Sequence, residues 1–212
     1  MEKIKYLIKK TDVLQNIIVL AVTVTFFLGI TNFVASADSI SDSVLRLHIL
    51  ANSDSDDDQE LKLKVRDAIL VAGEEAFSGA ENAQQAERSI VENSDMLLSV
   101  AREVIAKNGY DYDVSLKITD EYFPTRTYGD VTLPAGEYRA VQFIIGEGNG
   151  HNWWCVMFPA LCLPGASNTA LDLVLTDKER EIVYSDPDID VRFKITEVFE
   201  GIRSKAQGLF NT

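Results

Sequence analysis

Arg46-Leu47-His48-Ile49-Leu50-Ala51-Asn52-Ser53-Asp54, running on through Asp58-Gln59 to Lys64-Val65-Arg66-Asp67, contains the change of period that decides the fold class. Up to Leu50 the residues alternate as in a strand. Leu45, Leu47 and Ile49 point to one face, and Arg46, His48 and Leu50 to the other. Asn52 to Asp58 is polar and acidic, and apolar positions then recur at helical spacing at Leu61, Val65, Ala68 and Ala72. A strand, an acidic turn and a helix are therefore expected in immediate succession. Arg46, His48 and Asp54 lie close enough together in this stretch to require testing as an active site.

Downstream, a helix is expected over about 57–76, with Asp56, Asp57, Asp58 and Glu60 around its first turn, where acids meet the positive end of the helix dipole. Gly79 breaks the chain. A second helix over about 82–107 carries Ala86, Ile90, Leu97, Ala101, Val104 and Ile105 on one stripe and stops at Lys107-Asn108-Gly109. From Tyr110 the period becomes two. Strands are expected from Val114 to Phe123, over 137–145 and over 152–158, with a turn at Leu133-Pro134-Ala135-Gly136 and a glycine-rich connection at 146–150. These three strands read as an antiparallel meander.

Helix returns in the last quarter. Thr176-Asp177-Lys178-Glu179 fits a capping box, and Asp186-Pro187 supplies an N-cap and a first-position proline. Residues 189–195 also scan as an alternating strand, but Val191, Ile195, Val198, Phe199 and Ile202 extend the helical period well beyond them. The expected fold class is α+β: a single compact domain with a mostly antiparallel sheet and helices packed on one side, preceded by an N-terminal signal or transmembrane helix.

Lys3, Lys5, Lys9 and Lys10 precede an apolar run from Val13 to Ile30, and Val34-Ala35-Ser36-Ala37 offers the small-x-small pattern that signal peptidase cuts. A run of about 18 residues rising 1.5 Å each is long enough to cross a hydrocarbon layer of roughly 30 Å. Residues 1–37 therefore read as a cleaved export signal or a retained anchor, with the Ala-x-Ala site and the polar Gln15 and Asn16 favouring cleavage. Basic flanks stay in the cytoplasm, so the body, 38–212, is expected outside. Of the 20 basic and 33 acidic side chains, the body keeps 16 and 31, a net of −15. That charge opposes binding to nucleic acid or to anionic lipid, leaving the N-terminal segment as the only expected membrane contact.

Most constellations that carry chemistry meet a specific obstacle. Asp54, Asp56 and Asp58 occupy the first, third and fifth places of a calcium loop. Gln59, however, stands where the sharp turn needs glycine, and Val65 where a bidentate Glu belongs. His48 with Asp67 or Asp54 and a serine lacks a nucleophile elbow, and the chain has two histidines in all, His48 and His151. Glycosidase-type chemistry needs two carboxylates, which a body this acidic always supplies. Gly146, Gly148 and Gly150 lead into a strand and not a helix N-terminus, so no phosphate cradle is offered. No cofactor or metal is expected.

Trp153 and Trp154 are adjacent in a strand and must face opposite sides of the sheet, so that one can stand out as an interface anchor. Cys155 and Cys162 lie seven apart in an exported chain. They are open to two readings, a disulfide worth roughly 2–3 kcal/mol or two buried free thiols.

Arg46 to Ser55, Asp58-Gln59, Leu61-Lys62 and Val65-Arg66-Asp67 together resemble the opening of the stage II sporulation protein R family. Asn152-Trp153-Trp154-Cys155-Val156-Met157-Phe158-Pro159 with Leu161-Cys162 resembles its second landmark, and Val191-Arg192-Phe193-Lys194-Ile195 is a weaker third. Ala160 stands where the family would place a second consecutive proline. The resemblance implies a secreted signalling protein of endospore formation, exported from the forespore into the space between the forespore and mother-cell membranes. There it would activate a membrane-embedded aspartyl protease that processes the sigma factor E precursor, the chemistry belonging to that partner and not to this chain.

Residues expected at the partner contact are His151, Asn152, Trp153 and Trp154 first, then Arg46 and His48. Asn52 and Asp54 are expected to fix the turn by accepting from backbone N–H groups. An exported peptidoglycan hydrolase using paired carboxylates is the alternative, and a structural envelope protein the third reading.

Overall fold

Alternation at the opening stretch becomes strand β1 (Leu45–Leu50), and the helical spacing after it becomes α2 (Asp56–Ala76); both follow a long helix, α1 (Glu2–Ser43). The structure is a computed structural model that describes residues 2–76, 79–161, 169–185 and 191–210. By internal contacts it divides into two compact units, Met1–Ser36 and Ala37–Thr212. The part of α1 from Val13 onward is long and apolar enough to cross a membrane. Val19, Leu20, Val22 and Phe27 leave most of their side-chain surface uncovered, as residues meant for lipid do.

The second unit continues with α3 (Ala83–Glu92), α4 (Ser94–Lys107) and β2 (Val114–Phe123). A short hairpin, β3 (Arg126–Tyr128) and β4 (Val131–Leu133), comes next, followed by β5 (Gly136–Ile145) and β6 (Asn152–Phe158). The chain then runs through α5 (Thr169–Val174), α6 (Asp177–Val183) and α7 (Val191–Phe210). The protein is thus mixed helix and sheet. One four-stranded sheet has the order β2-β5-β1-β6, antiparallel except where β1 runs parallel to β5.

That order corrects the expected meander. β5 and β6 are consecutive but do not pair, because β1, buried on both faces, inserts between them. A strand this apolar gains most at the centre of the sheet, where neighbours on both sides satisfy its backbone. The single helix expected over 82–107 is broken at Asn93, whose side chain bonds the Ser89 carbonyl at 2.8 Å and so competes with the helical ladder. The β3–β4 hairpin lay unread in the sequence. The expected Thr176–Glu179 capping box is present at α6, whereas Asp186-Pro187 lies outside the described residues.

Leu45, Leu47, Ile49, Val141, Phe143, Ile145, Cys155 and Met157 line one sheet face. Leu61, Val65 and Ile69 of α2, Ala86 and Ile90 of α3, and Leu97, Ala101 and Ile105 of α4 pack over it in one cluster. Full burial of each large aliphatic side chain is worth about 1.5–3 kcal/mol, and this layer supplies most of the domain's cohesion. Arg46, His48, Ala140, Gln142, Trp154 and Val156 belong to the opposite face. Tyr128 of the hairpin reaches Arg46 there.

Candidate functional site

Two polar assemblies grow from the opening stretch, one beyond the end of β1 and one on its face. At the end of β1, Ser55 caps α2: its Oγ accepts from Asp58 N–H (3.2 Å) and its carbonyl takes the first helical bond, from Gln59 N–H (2.9 Å). The Asp58 carboxylate accepts from Asn52 Nδ2 (2.9 Å) and Ser53 Oγ (2.5 Å). Burial pushes the Asp58 carboxyl up, but bonds from Ser53, Asn52, Tyr112 and Ser55 outweigh it and hold the group below its ordinary value of 3.8.

Asn52 and Asp54 reach further than their own turn. Asn52 Oδ1 accepts from Glu147 N–H (3.1 Å), and Asp54 Oδ1 from His151 N–H (2.5 Å), both in the β5–β6 connection. Two backbone bonds, Asn149 N–H to Asn52 O (3.2 Å) and Gly150 N–H to Ala51 O (3.0 Å), lie between them. Lys62, nearly buried, donates to His151 O (2.7 Å) and to Gln59 Oε1, and Gln59 Nε2 donates to Ser53 O (2.9 Å). Gly146 and Gly150 are required by this closeness. A Cβ at Gly150 would overlap the Ser53 carbonyl, and one at Gly146 the Asn52 amide, at a φ of +57°. The acidic turn is a clamp between two distant segments.

On the strand face, Arg46 is fully buried and, among the described residues, no carboxylate pairs with it. Its Nε donates to Cys155 O (3.1 Å) and Nη2 to Tyr128 Oη (2.7 Å), while Nη1 has no partner among the described residues. Phe123, Tyr138 and Tyr128 surround the guanidinium, with ring centroids 4.2, 4.8 and 5.5 Å from Cζ. Burial lowers the Arg46 pKa. Two residues on, His48 is also buried, with Nδ1 2.7 Å from Glu121 Oε2 and 3.2 Å from Gln142 Nε2. A carboxylate only accepts, so it draws the imidazole proton to Nδ1. Nε2 is then left without a partner among the described residues. The ring lies flat on Trp154, centroids 3.9 Å apart and planes 12° apart. This arrangement orients an imidazole against an indole, and no hydroxyl or thiol nucleophile is hydrogen-bonded to it among the described residues.

The residues expected at a partner contact are thus divided. His151 and Asn152 are exposed, and Trp154 is half-buried on the face opposite the helical layer. Trp153 points the other way, against the helical core, with the Arg66 guanidinium 4.3 Å from its ring and its Nε1 buried without a partner among the described residues. Arg46 and His48 present no surface in this conformation. Cys155 is buried in β6 and disulfide-bonded; Cys162 lies outside the described residues. Reading the sequence did not single out Glu121, Gln142, Phe123, Tyr128 and Tyr138. The polar alternation of β2 and β5 and the β-branched and aromatic residues around Gly129-Asp130 were the signals for them. A separate cavity of about 630 Å³, edged by Asp38, Glu87, Asp120, Glu137 and Arg139, lies between α3 and the strands and includes none of the expected contact residues.

A long apolar N-terminal helix, of the kind that serves as a signal or a membrane anchor, ahead of an α+β body defines the class of protein. The family model for stage II sporulation protein R matches residues 41–168, from just before β1 to just before α5. A relative named stage II sporulation protein R, from Bacillus subtilis (strain 168), is 37% identical over 169 residues, which is 79% of this chain and 70% of the relative. The chain belongs to the stage II sporulation protein R family, and that membership supports a role in sporulation. The relative carries the name of a sporulation protein and not of an enzyme. No solved structure matches the chain.

Proposed function

We propose that this chain is an intercompartmental signal of endospore formation, exported from the forespore by its N-terminal segment. Residues 38–212 act in the space between the two membranes, free or tethered, where they activate a membrane-embedded aspartyl protease that processes the sigma factor E precursor. The observation that carries this reading is family membership across the segment that contains both motifs. Asn52, Ser53, Asp54 and Asp58 of the hallmark stretch support it, because their polar groups are spent on holding the turn to the 146–151 connection and to the start of α2.

The partner contact is assigned to His151, Asn152 and Trp154, with His48 and Arg46 setting the position of the Trp154 ring from below and Trp153 anchoring the strand to the core. Cys155 and Cys162 form the disulfide of this body. Deletion of the gene in its host is expected to stall sporulation with the sigma precursor unprocessed. A Trp154→Ala chain, exported at the normal level, is expected to leave that block in place. Full processing in the deletion strain would overturn the reading, and turnover of cell-wall fragments by the purified chain would replace it with the hydrolase.

A further inference from the structure

β2 is the outermost strand on its side of the sheet, and among the described residues no backbone group of another element bonds its outer edge. The direction of that edge follows from one bond. Gly146 N–H donates to Asp113 O (2.8 Å), so the backbone of odd-numbered residues faces β5 and that of residues 114, 116, 118, 120 and 122 faces outward. Thr119 Oγ1, bonding the Asp120 carbonyl at 3.2 Å, agrees with that assignment. A ten-residue edge of about 33 Å with an unused ladder is a template for another strand unless its side chains forbid pairing.

The side chains do forbid most registers. In antiparallel pairing of two copies about a two-fold axis, centring on Lys117 sets Lys against Lys, and centring on Asp120 sets Asp against Asp. Centring on Ile118 leaves Lys117 opposite Thr119. Centring on Thr119 places Lys117 opposite the second copy's Glu121, and the reverse by symmetry. It also sets Leu116 opposite Tyr122 and Thr119 opposite Thr119. Lys117 is exposed and has no ion-pair partner among the described residues. Glu121 gives Oε2 to His48, and its Oε1 has no partner among the described residues. Asp120 is drawn aside by Arg139 at 3.3 Å.

We propose that the β2 edge is a self-complementary docking surface whose occupant is the β2 strand of a second copy of this chain, paired antiparallel about Thr119 into an eight-stranded sheet. The charges that repel strands in the Lys117- and Asp120-centred registers attract in this one.

Sedimentation equilibrium of the full chain in detergent tests the proposal. A dimer is expected for the unaltered chain. Lys117→Glu and Glu121→Lys are each expected to weaken it about tenfold or more, because two cross-strand pairs become like-charged. An equimolar mixture of the two variants is expected to recover the dimer. Thr119→Cys is expected to cross-link under mild oxidation, since facing residues at a non-hydrogen-bonded pair lie about 4.5 Å apart, whereas Ile118→Cys is not. A monomeric chain, a dimer that Lys117→Glu leaves intact, or a Thr119→Cys chain that does not cross-link would each overturn it. A monomer in which Lys117→Glu nevertheless blocks sigma-precursor processing would assign the edge to a strand of a different protein.

Discussion

The clamp at the end of β1 and the face of β1 come from the same few residues, yet they treat polar groups in opposite ways. In the clamp, Asn52, Ser53, Asp58, Gln59 and Lys62 all bond within the body. On the face, among the described residues, Arg46 Nη1 and His48 Nε2 are buried with nothing to bond and the Arg46 charge has no counter-ion. A satisfied network stabilises and specifies a fold, whereas an unsatisfied buried polar group costs stability and is kept for another reason. The clamp therefore builds the domain, and the strand face is where sporulation activity is expected to be sensitive.

The largest test of that contrast is Gly150→Ala. A methyl group forced onto the Ser53 carbonyl must part the two segments, and a loss of about 3 kcal/mol in urea unfolding is expected. Unchanged stability would dismiss the clamp. Asp58→Ala removes the acceptor of Asn52 and Ser53 and is expected to cost about 2 kcal/mol. Because the folded Asp58 carboxyl titrates below its unfolded value, its contribution is complete above pH of about 4 and is lost as pH falls through the folded value. Asp58→Asn is expected to flatten that acid limb, read as the unfolding midpoint between pH of about 6 and 3.

Arg46→Met is expected to change stability by about 1 kcal/mol or less. The lost bonds to Cys155 O and Tyr128 are offset by removal of an uncompensated buried charge, and sigma-precursor processing is expected to fail. A loss as large as that of Gly150→Ala would make the face as structural as the clamp. His151→Ala is expected to leave the unfolding midpoint unmoved, because its pair with Asp54 is open to water.

Much of this was legible in the local pattern. Strands 114–123 and 152–158, the helix after Asp56 and the Thr176 capping box follow from periods and caps that involve neighbours in sequence. Trp153 and Trp154 were bound to face opposite ways for the same reason, but which one enters the helical core depends on where β6 pairs. Asn93 broke a helix whose apolar stripe ran straight past it, because one amide side chain bonding back to Ser89 does not alter the stripe. The hairpin that delivers Tyr128 to Arg46 was too short, at three residues a strand, to stand out from a loop.

By itself the sequence determined the apolar N-terminal helix, the acidic body, the longer strands and the helix after the acidic turn, and the family, since these rest on composition, on spacing and on motifs read residue by residue. Only the tertiary structure decided that β1 lies between β5 and β6, that Asn52 and Asp54 reach across to the 146–151 connection, and that Arg46 is enclosed by three aromatic rings. Those outcomes depend on pairings between residues about a hundred positions apart. Such pairings are selected by the total burial and hydrogen bonding of the whole sheet, which no local period records.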